Sequence, residues 1–385
     1  MAGPGGLLIV ANFSFSHLHI CTLSKRIIIA GGGTGGHIFP AIAIANALRK
    51  QDPDISVLFV GAKGKMEMEK VPEAGYRIEG IDIAGFNRSS LIKNIGLPYK
   101  LIKSFFQVRR IFSAFKPDAA VGVGGYSTFP VLRYAQAKGI PSFIHESNSY
   151  AGKSNILLGK KATRIFAASD GMEKFFPAGR LMHTGNPVRA EVIGNRISKT
   201  EALAFFGLEP GRTTVFITGG SLGAKSINEA IDAGIPLLKK NQVQLIWQTG
   251  KTFAAKAAEH AAESSLIWSN QFIAKIGYAY AAADIVVSRS GSTLYELCAV
   301  KKPVIFVPYP YAAEDHQTVN ARHLVDKHAA LMIPDKEAGQ KLVNAVIALA
   351  GNRAEQELLK ENIGKLAITD ADEKIATEIL KVLHG

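Results

Sequence analysis

Arg26-Ile27-Ile28-Ile29-Ala30-Gly31-Gly32-Gly33-Thr34-Gly35-Gly36-His37 decides how the chain is read. Its first five residues are a short, mostly β-branched run, the composition of a buried strand. The glycine string follows at once, and a helical pattern runs from Ala41 to Lys50. A strand passing through a glycine turn into a helix is the opening unit of a parallel α/β sheet. The glycines let backbone approach a ligand closely, and the first N–H groups of the helix suit anionic or polar oxygens. Gly31, Gly33 and Gly36 also satisfy G-x-G-x-x-G. A dinucleotide site, however, wants an acidic residue roughly 20 positions on, at the end of the second strand. There the chain reads Phe59-Val60-Gly61-Ala62-Lys63, with no acid, which disfavours that reading. His37 is either a helix-start residue bonding the loop or a general base facing a cleft, its pKa lowered by the helix dipole.

Outward from this unit the alternation continues. Ser56–Val60, Ala119–Val123 and Ser142–Ile144 read as strands, with a helix over Leu101–Phe115. The pattern then restarts with a strand over Thr213–Thr218, a glycine turn and a helix from Ala224. Strands follow at Gln244–Gln248, Ile285–Ser288 and Val304–Val307. Proline at Gly185-Asn186-Pro187 marks a seam. We therefore expect an α/β protein of two doubly wound parallel-sheet domains, 25–187 and 188–368. A terminal segment, 369–385, carries the helix Lys374–Leu383, which has no following strand and is expected to pack back on the first domain. Residues 1–24 contain an apolar stretch, Gly6 to Ala11, with no basic residue before it. They read as a disordered extension rather than a secretion signal. No later segment offers about 18 uninterrupted apolar residues.

The 385 residues include 45 basic and 32 acidic side chains, a net charge of +13. That excess favours anionic partners. Nucleic acid is not expected, because no finger, RNP-like strand or basic block accompanies the charge. Cys21 and Cys298 are too few for a disulfide scaffold and suit a reducing cytoplasm. No metal site is expected either, since Asp52-Pro53-Asp54 precedes a strand and reads as a loop.

Five further strings could carry chemistry. Thr218-Gly219-Gly220-Ser221-Leu222-Gly223-Ala224 repeats the strand–glycine–helix geometry in the second half. Within Ser288–Glu296, Thr293 and Glu296 have capping-box spacing; the alternative is that Glu296 accepts both ribose hydroxyls. In Asp315–Ala321, Gln317 and Asn320 share one helical face and could reach a sugar. His145-Glu146-Ser147-Asn148 follows a first-domain strand, where ligands meet an open sheet. Arg189, just past the seam, could clamp a diphosphate.

Taken in order, GGGTGGH, GVGGYSTFP, HESN, GNPVR, TGGSLGA, RSGSTLYE and DHQTVNA resemble the MurG family of cell-wall N-acetylglucosaminyltransferases. The likeness implies the GT-B fold, two Rossmann-like domains facing a cleft. The first would bind a lipid-linked acceptor and the second UDP-GlcNAc. It implies that Thr34, Gly35 and Gly36 contact the transferred sugar and that Asn148 is a further ligand contact. Arg189 and Ser221 would meet the diphosphate, Ile273 the uracil through its backbone, Glu296 the ribose and Gln317 the GlcNAc hydroxyls. His37 is the implied base. The implied reaction is inverting transfer of GlcNAc to the MurNAc 4-hydroxyl of undecaprenyl-diphospho-MurNAc-pentapeptide, without cofactor or metal. Leu222 departs from the glutamine of some family members. The rival readings are a GT-B transferase with another lipid acceptor, such as diacylglycerol, a UDP-GlcNAc epimerase on the same fold, and a non-catalytic UDP-sugar-binding membrane protein.

A lipid-linked acceptor requires the enzyme to come to the membrane. Ile95, Tyr99, Ile102 and Phe106 fall on one helical stripe, which Leu101 and Phe105 widen. Lys93, Lys100, Lys103, Arg109 and Arg110 flank it, the composition of an interfacial helix against anionic headgroups. The expectation is peripheral docking on the cytoplasmic face of the inner (plasma) membrane; the alternative is that the stripe faces the core.

Overall fold

The computed structural model describes residues 24–85, 96–194, 196–312 and 315–385. All but the last residue of the expected extension, and Ile95 of the expected membrane stripe, lie outside them.

Two parallel sheets organise the chain. The first contains β1 (Arg26–Ala30), β2 (Ser56–Ala62), β3 (Arg77–Ile81), β4 (Ala119–Gly122), β5 (Ser142–Glu146), β6 (Arg164–Ala167) and β7 (Leu181–His183). Its spatial order is β3-β2-β1-β4-β5-β6-β7. The second contains β8 (Thr214–Thr218), β9 (Gln244–Gln248), β10 (Ile267–Asn270), β11 (Ile285–Ser288), β12 (Val304–Phe306) and β13 (Leu331–Met332), in the order β10-β9-β8-β11-β12-β13. Every pairing is parallel, and each order reverses direction beside its first strand. This is the expected two-domain, doubly wound GT-B architecture.

Packing explains which strands were visible in the sequence. β1, β4, β8 and β11 are covered on both faces, so they read as continuous apolar runs. β3, β6, β7, β10 and β13 were not anticipated. They lie toward the sheet margins, and most of them alternate or expose their side chains, as in Arg77-Ile78-Glu79-Gly80-Ile81. The first helix runs from Gly35 to Gln51, six residues earlier than its apolar pattern, because glycines carry no helical signal of their own. The helix Leu97–Phe115 likewise starts ahead of Leu101, with Pro98 in its first turn, where a missing N–H costs nothing.

The last helix, Ala371–His384, crosses back to the first domain. Ile375, Ala376, Ile379 and Leu380 join the core formed by Ile38, Ala41 and Ile44, and Lys50 pairs with Glu373 at 2.7 Å. The C-terminal ends of both sheets face a cleft of about 1300 Å³. The domains touch across it. The Tyr295 hydroxyl meets the Ser147 carbonyl and the Ser169 hydroxyl, each at 3.0 Å, and Ser149 donates to the Asn320 carboxamide oxygen at 2.7 Å.

Candidate active site

The loop after β1 is held from beneath. Glu67, at the start of the helix Glu67–Glu73, is 1% exposed, and its carboxylate accepts the Gly33 N–H at 2.8 Å and the Ala62 N–H at 3.0 Å. A Cβ on Gly32 would collide with that carboxyl group, so the position must be glycine. His37 Nδ1 lies 3.1 Å from the Gly32 carbonyl oxygen. A carbonyl only accepts, so Nδ1 carries the proton and Nε2 keeps its lone pair. Burial lowers the His37 pKa. The Gly32 bond and the Glu146 carboxylate oppose that shift, and nearby His316 adds to it. Burial, the largest of these effects, favours the neutral imidazole. His37 both bonds the loop, as the helix-start reading expects, and lines the cleft. Thr34, Gly35 and Gly36 line the same wall.

HESN turns out to be largely structural. His145 is fully buried, and burial pushes its pKa down to about 4. The Glu146 carboxylate is saturated, accepting from the Asn148 N–H and carboxamide at 3.1 Å each, the Gly152 N–H at 3.0 Å and the Asn155 carboxamide at 2.8 Å. A carboxylate committed to four donors shapes its loop. Asn148 lines the cleft with its amide nitrogen already committed to Glu146.

On the opposite wall Glu296 closes no capping box. The helix Thr293–Val300 begins after Ser292 without a side-chain cap. Instead Glu296 takes both arms of Arg189: Nε donates to Oε1 at 2.7 Å and Nη2 to Oε2 at 2.8 Å. The Tyr280 hydroxyl also donates to Oε2, at 2.8 Å. Burial disfavours the Arg189 charge, but the Glu296 carboxylate outweighs it and holds the guanidinium pKa above its ordinary value. Arg189 also lies over the Phe39 ring of the first domain, 4.5 Å from its centroid. The two residues expected to grip different parts of one ligand thus grip each other.

Ser221 and Gln317 line the cleft too. The Gln317 carboxamide oxygen accepts the Tyr309 N–H at 2.9 Å. Ile273 is buried, and its N–H is donated to the Gln248 side chain at 2.9 Å. Asn320 does not share the sugar-facing role suggested by its spacing from Gln317. It is 2% exposed and is used up by Ser149 and the Ser290 carbonyl. Sequence reasoning missed Glu67, Tyr280, Phe39 and His316. The paired glycines Gly32 and Gly61, both emptied for the Glu67 side chain, were the available signal for the first.

The model of the glycosyltransferase family 28 N-terminal domain matches residues 27–167, and that of the family 28 C-terminal domain matches 214–375. The chain belongs to glycosyltransferase family 28. A relative from Phocaeicola vulgatus is 48% identical over 361 residues, covering 93% of this chain and 96% of its own. One from Parabacteroides distasonis is also 48% identical, covering 93% and 98%. Both are named UDP-N-acetylglucosamine–N-acetylmuramyl-(pentapeptide) pyrophosphoryl-undecaprenol N-acetylglucosamine transferase. The crystal structure of Acinetobacter baumannii MurG superposes with a TM-score of 0.70 at 28% identity, covering 93% of this chain and 99% of that one. A Neisseria meningitidis UDP-GlcNAc 2-epimerase bound to UDP-GlcNAc reaches 0.66 at 15% identity, covering 93% and 100%, a likeness of fold alone. The two family 28 matches span both walls of the cleft, while Asn186, Pro187 and Arg189 lie in the stretch between them.

The family 28 N-terminal domain also carries the expected membrane stripe. Tyr99, Ile102 and Phe106 are 70%, 59% and 67% exposed, so the stripe does not face the core. Phe105 is a correction. It turns about 100° off the stripe and packs edge-on against Phe129, ring centroids 6.5 Å apart. Lys103 is paired with Asp82 at 3.0 Å, whose carboxyl it helps hold down at about 2. Among the described residues, no helix is long and apolar enough to cross a membrane.

Proposed function

We propose that this protein transfers N-acetylglucosamine from UDP-GlcNAc to the 4-hydroxyl of MurNAc in undecaprenyl-diphospho-MurNAc-pentapeptide, a step of peptidoglycan synthesis. The observation that carries the reading is the convergence of the first- and second-domain glycine loops, His37 and the Arg189–Glu296 pair on one cleft. Near full-length identity to transferases of that name supports it.

In this reading the acceptor O4 attacks C1 of GlcNAc from the face opposite the diphosphate. The O4–C1 bond forms as the C1–O bond breaks, UDP leaves with the electron pair, and the linkage inverts. His37 Nε2 takes the O4 proton. Thr34, Gly35 and Gly36 hold the transferred sugar, Asn148 adds a ligand contact, and Gln317 meets GlcNAc hydroxyls through its amide N–H groups. Arg189 and Ser221 receive the diphosphate, where negative charge develops, beside the first turns of two helices. Glu296 holds the ribose, and a uracil contact at Ile273 falls to its carbonyl. The exposed stripe Tyr99, Ile102 and Phe106 rests on the anionic inner surface of the plasma membrane, peripheral rather than spanning.

The test is incubation of the purified protein with radiolabelled UDP-GlcNAc, with and without the lipid-linked MurNAc-pentapeptide. Label should move into the lipid fraction only when acceptor is present. Conversion of UDP-GlcNAc to its 2-epimer without acceptor would replace this reading with the epimerase one.

A further inference from the structure

We propose that Glu67 is the positioning residue of His37, acting through the single peptide unit that joins Gly32 to Gly33. The N–H of that unit belongs to Gly33 and is donated to Glu67 Oε2 at 2.8 Å. Its C=O belongs to Gly32 and accepts the His37 Nδ1–H at 3.1 Å. Carboxylate, peptide and imidazole therefore form one line of hydrogen bonds. Each bond in such a line polarises the next, so an anionic acceptor on the N–H side makes the carbonyl a better acceptor for imidazole. The tautomer of a histidine is set by the partner of its other nitrogen. Here that partner fixes the proton on Nδ1 and leaves Nε2 bare.

Four observations show that this line is built. Glu67 is 1% exposed although no lysine or arginine pairs with it among the described residues. Its second oxygen is anchored by the Ala62 N–H at the end of β2. Gly32 and Gly61 both lack the Cβ that would displace it. The Gly32 N–H is donated to the Gly124 carbonyl at 3.2 Å, so the loop is pinned on its other side. The titratable groups facing His37 are Glu67, His145 and Glu146 from the first domain and His316 from the second. Of these, Glu67 alone is joined to it through the peptide.

This inference rests on reading His37 as the base, and its test is independent of turnover. In histidine-labelled protein, 15N NMR of His37 should show the Nδ1–H tautomer above its titration midpoint. In Glu67→Gln that midpoint should move to lower pH, because a charge that favours the imidazolium is gone, and the Nε2–H tautomer should appear. Turnover should fall roughly tenfold, a part of the 10²–10⁴ that a general base supplies. The donor KM should stay within about twofold, and the acid limb of the pH–rate profile should follow the NMR midpoint. Wild-type His37 found as the Nε2–H tautomer would overturn the proposal without any variant. So would a folded Glu67→Gln whose His37 tautomer and midpoint match wild type, whatever its melting temperature. If His37→Asn keeps turnover while the NMR coupling holds, the base assignment fails and the positioning role stands.

Discussion

Glu296→Gln tests the central pairing, and the structure sets its size. Ionised Glu296 has about four acceptor sites. Three are taken, two by Arg189 and one by Tyr280. One remains for a ribose diol with two hydroxyls, so the diol must displace one resident donor or leave one hydroxyl unbonded. Glutamine keeps one acceptor oxygen and turns an NH₂ against an Arg189 N–H. That removes a charge-assisted hydrogen bond, about 1.5–3 kcal/mol. It also leaves a cation with 16% side-chain exposure short of its counter-charge. Breaking a fully buried pair costs about 3–5 kcal/mol. Glu191, 3.3 Å from Arg189 Nη1, softens the loss. We expect about 2–3 kcal/mol. At roughly 2–4 °C per kcal/mol for a domain of this size, the second-domain transition should fall by about 5–10 °C in calorimetry. Donor kcat/KM should also drop about ten- to a hundredfold. If affinity falls in the same proportion, UDP-GlcNAc should then lose from about half to most of its protective shift, which for wild type at 100 Kd is about 2.7 kcal/mol. A double-mutant cycle with Arg189→Lys isolates the pair, and the two losses should couple by at least about 1 kcal/mol. A melting temperature within about 2 °C of wild type, with additive effects in the cycle, would refute the reasoning.

Two further outcomes are expected. His37→Asn should bind UDP-GlcNAc normally yet lose roughly 10²–10⁴ in kcat. Because burial lowers the His37 pKa, wild-type kcat should fall on acidification with a midpoint below the ordinary 6.5, a limb absent from the variant. A Tyr99→Ser/Ile102→Ser/Phe106→Ser protein should fold and turn over UDP-GlcNAc with a soluble acceptor as wild type does, but float poorly with anionic vesicles. Flotation equal to wild type removes the stripe from the docking surface.

How much of this was legible in the sequence depended on how local the cause was. β1, β4, β8 and β11 were legible because burial on both faces writes itself as an apolar run. β3 and β13 were not, since an edge strand carries only half that pattern. Glu296 was legible as important but not as the partner of Arg189, because a separation of 107 positions leaves no mark on spacing. Asn320 misled for the opposite reason. Its i, i+3 relation to Gln317 is real, but a helix between two domains has two occupied faces, and Ser149 claims Asn320 from the other side. The membrane stripe was legible in its period, and Phe105 was misplaced because widening a stripe by one position turns it about 100° toward Phe129.

The two glycine loops make the same point at closer range. GGGTGGH and TGGSLGA look alike, and both read as cradles that open a helix to oxygen ligands. Their glycines answer to different neighbours. In the first, Gly32 is bare, as is Gly61 of neighbouring β2, so that the Glu67 side chain can hold the loop beside His37. In the second, Gly219 meets the backbone of Ala224, and Gly223 meets that of Thr249. There bare Gly219 lets the loop fold tightly on itself, and bare Gly223 lets it pass against the main chain after β9. The first loop thus places a titratable side chain, whereas the second sets the path of the main chain that carries Ser221 to the cleft. That difference matches the proposed division of work across the cleft, with proton transfer on the wall that holds His37 and diphosphate binding on the wall that holds Ser221. A side chain added at Gly32 should therefore disturb the acid limb of the rate profile, and one added at Gly223 the donor KM, although the two glycine strings look alike in the sequence.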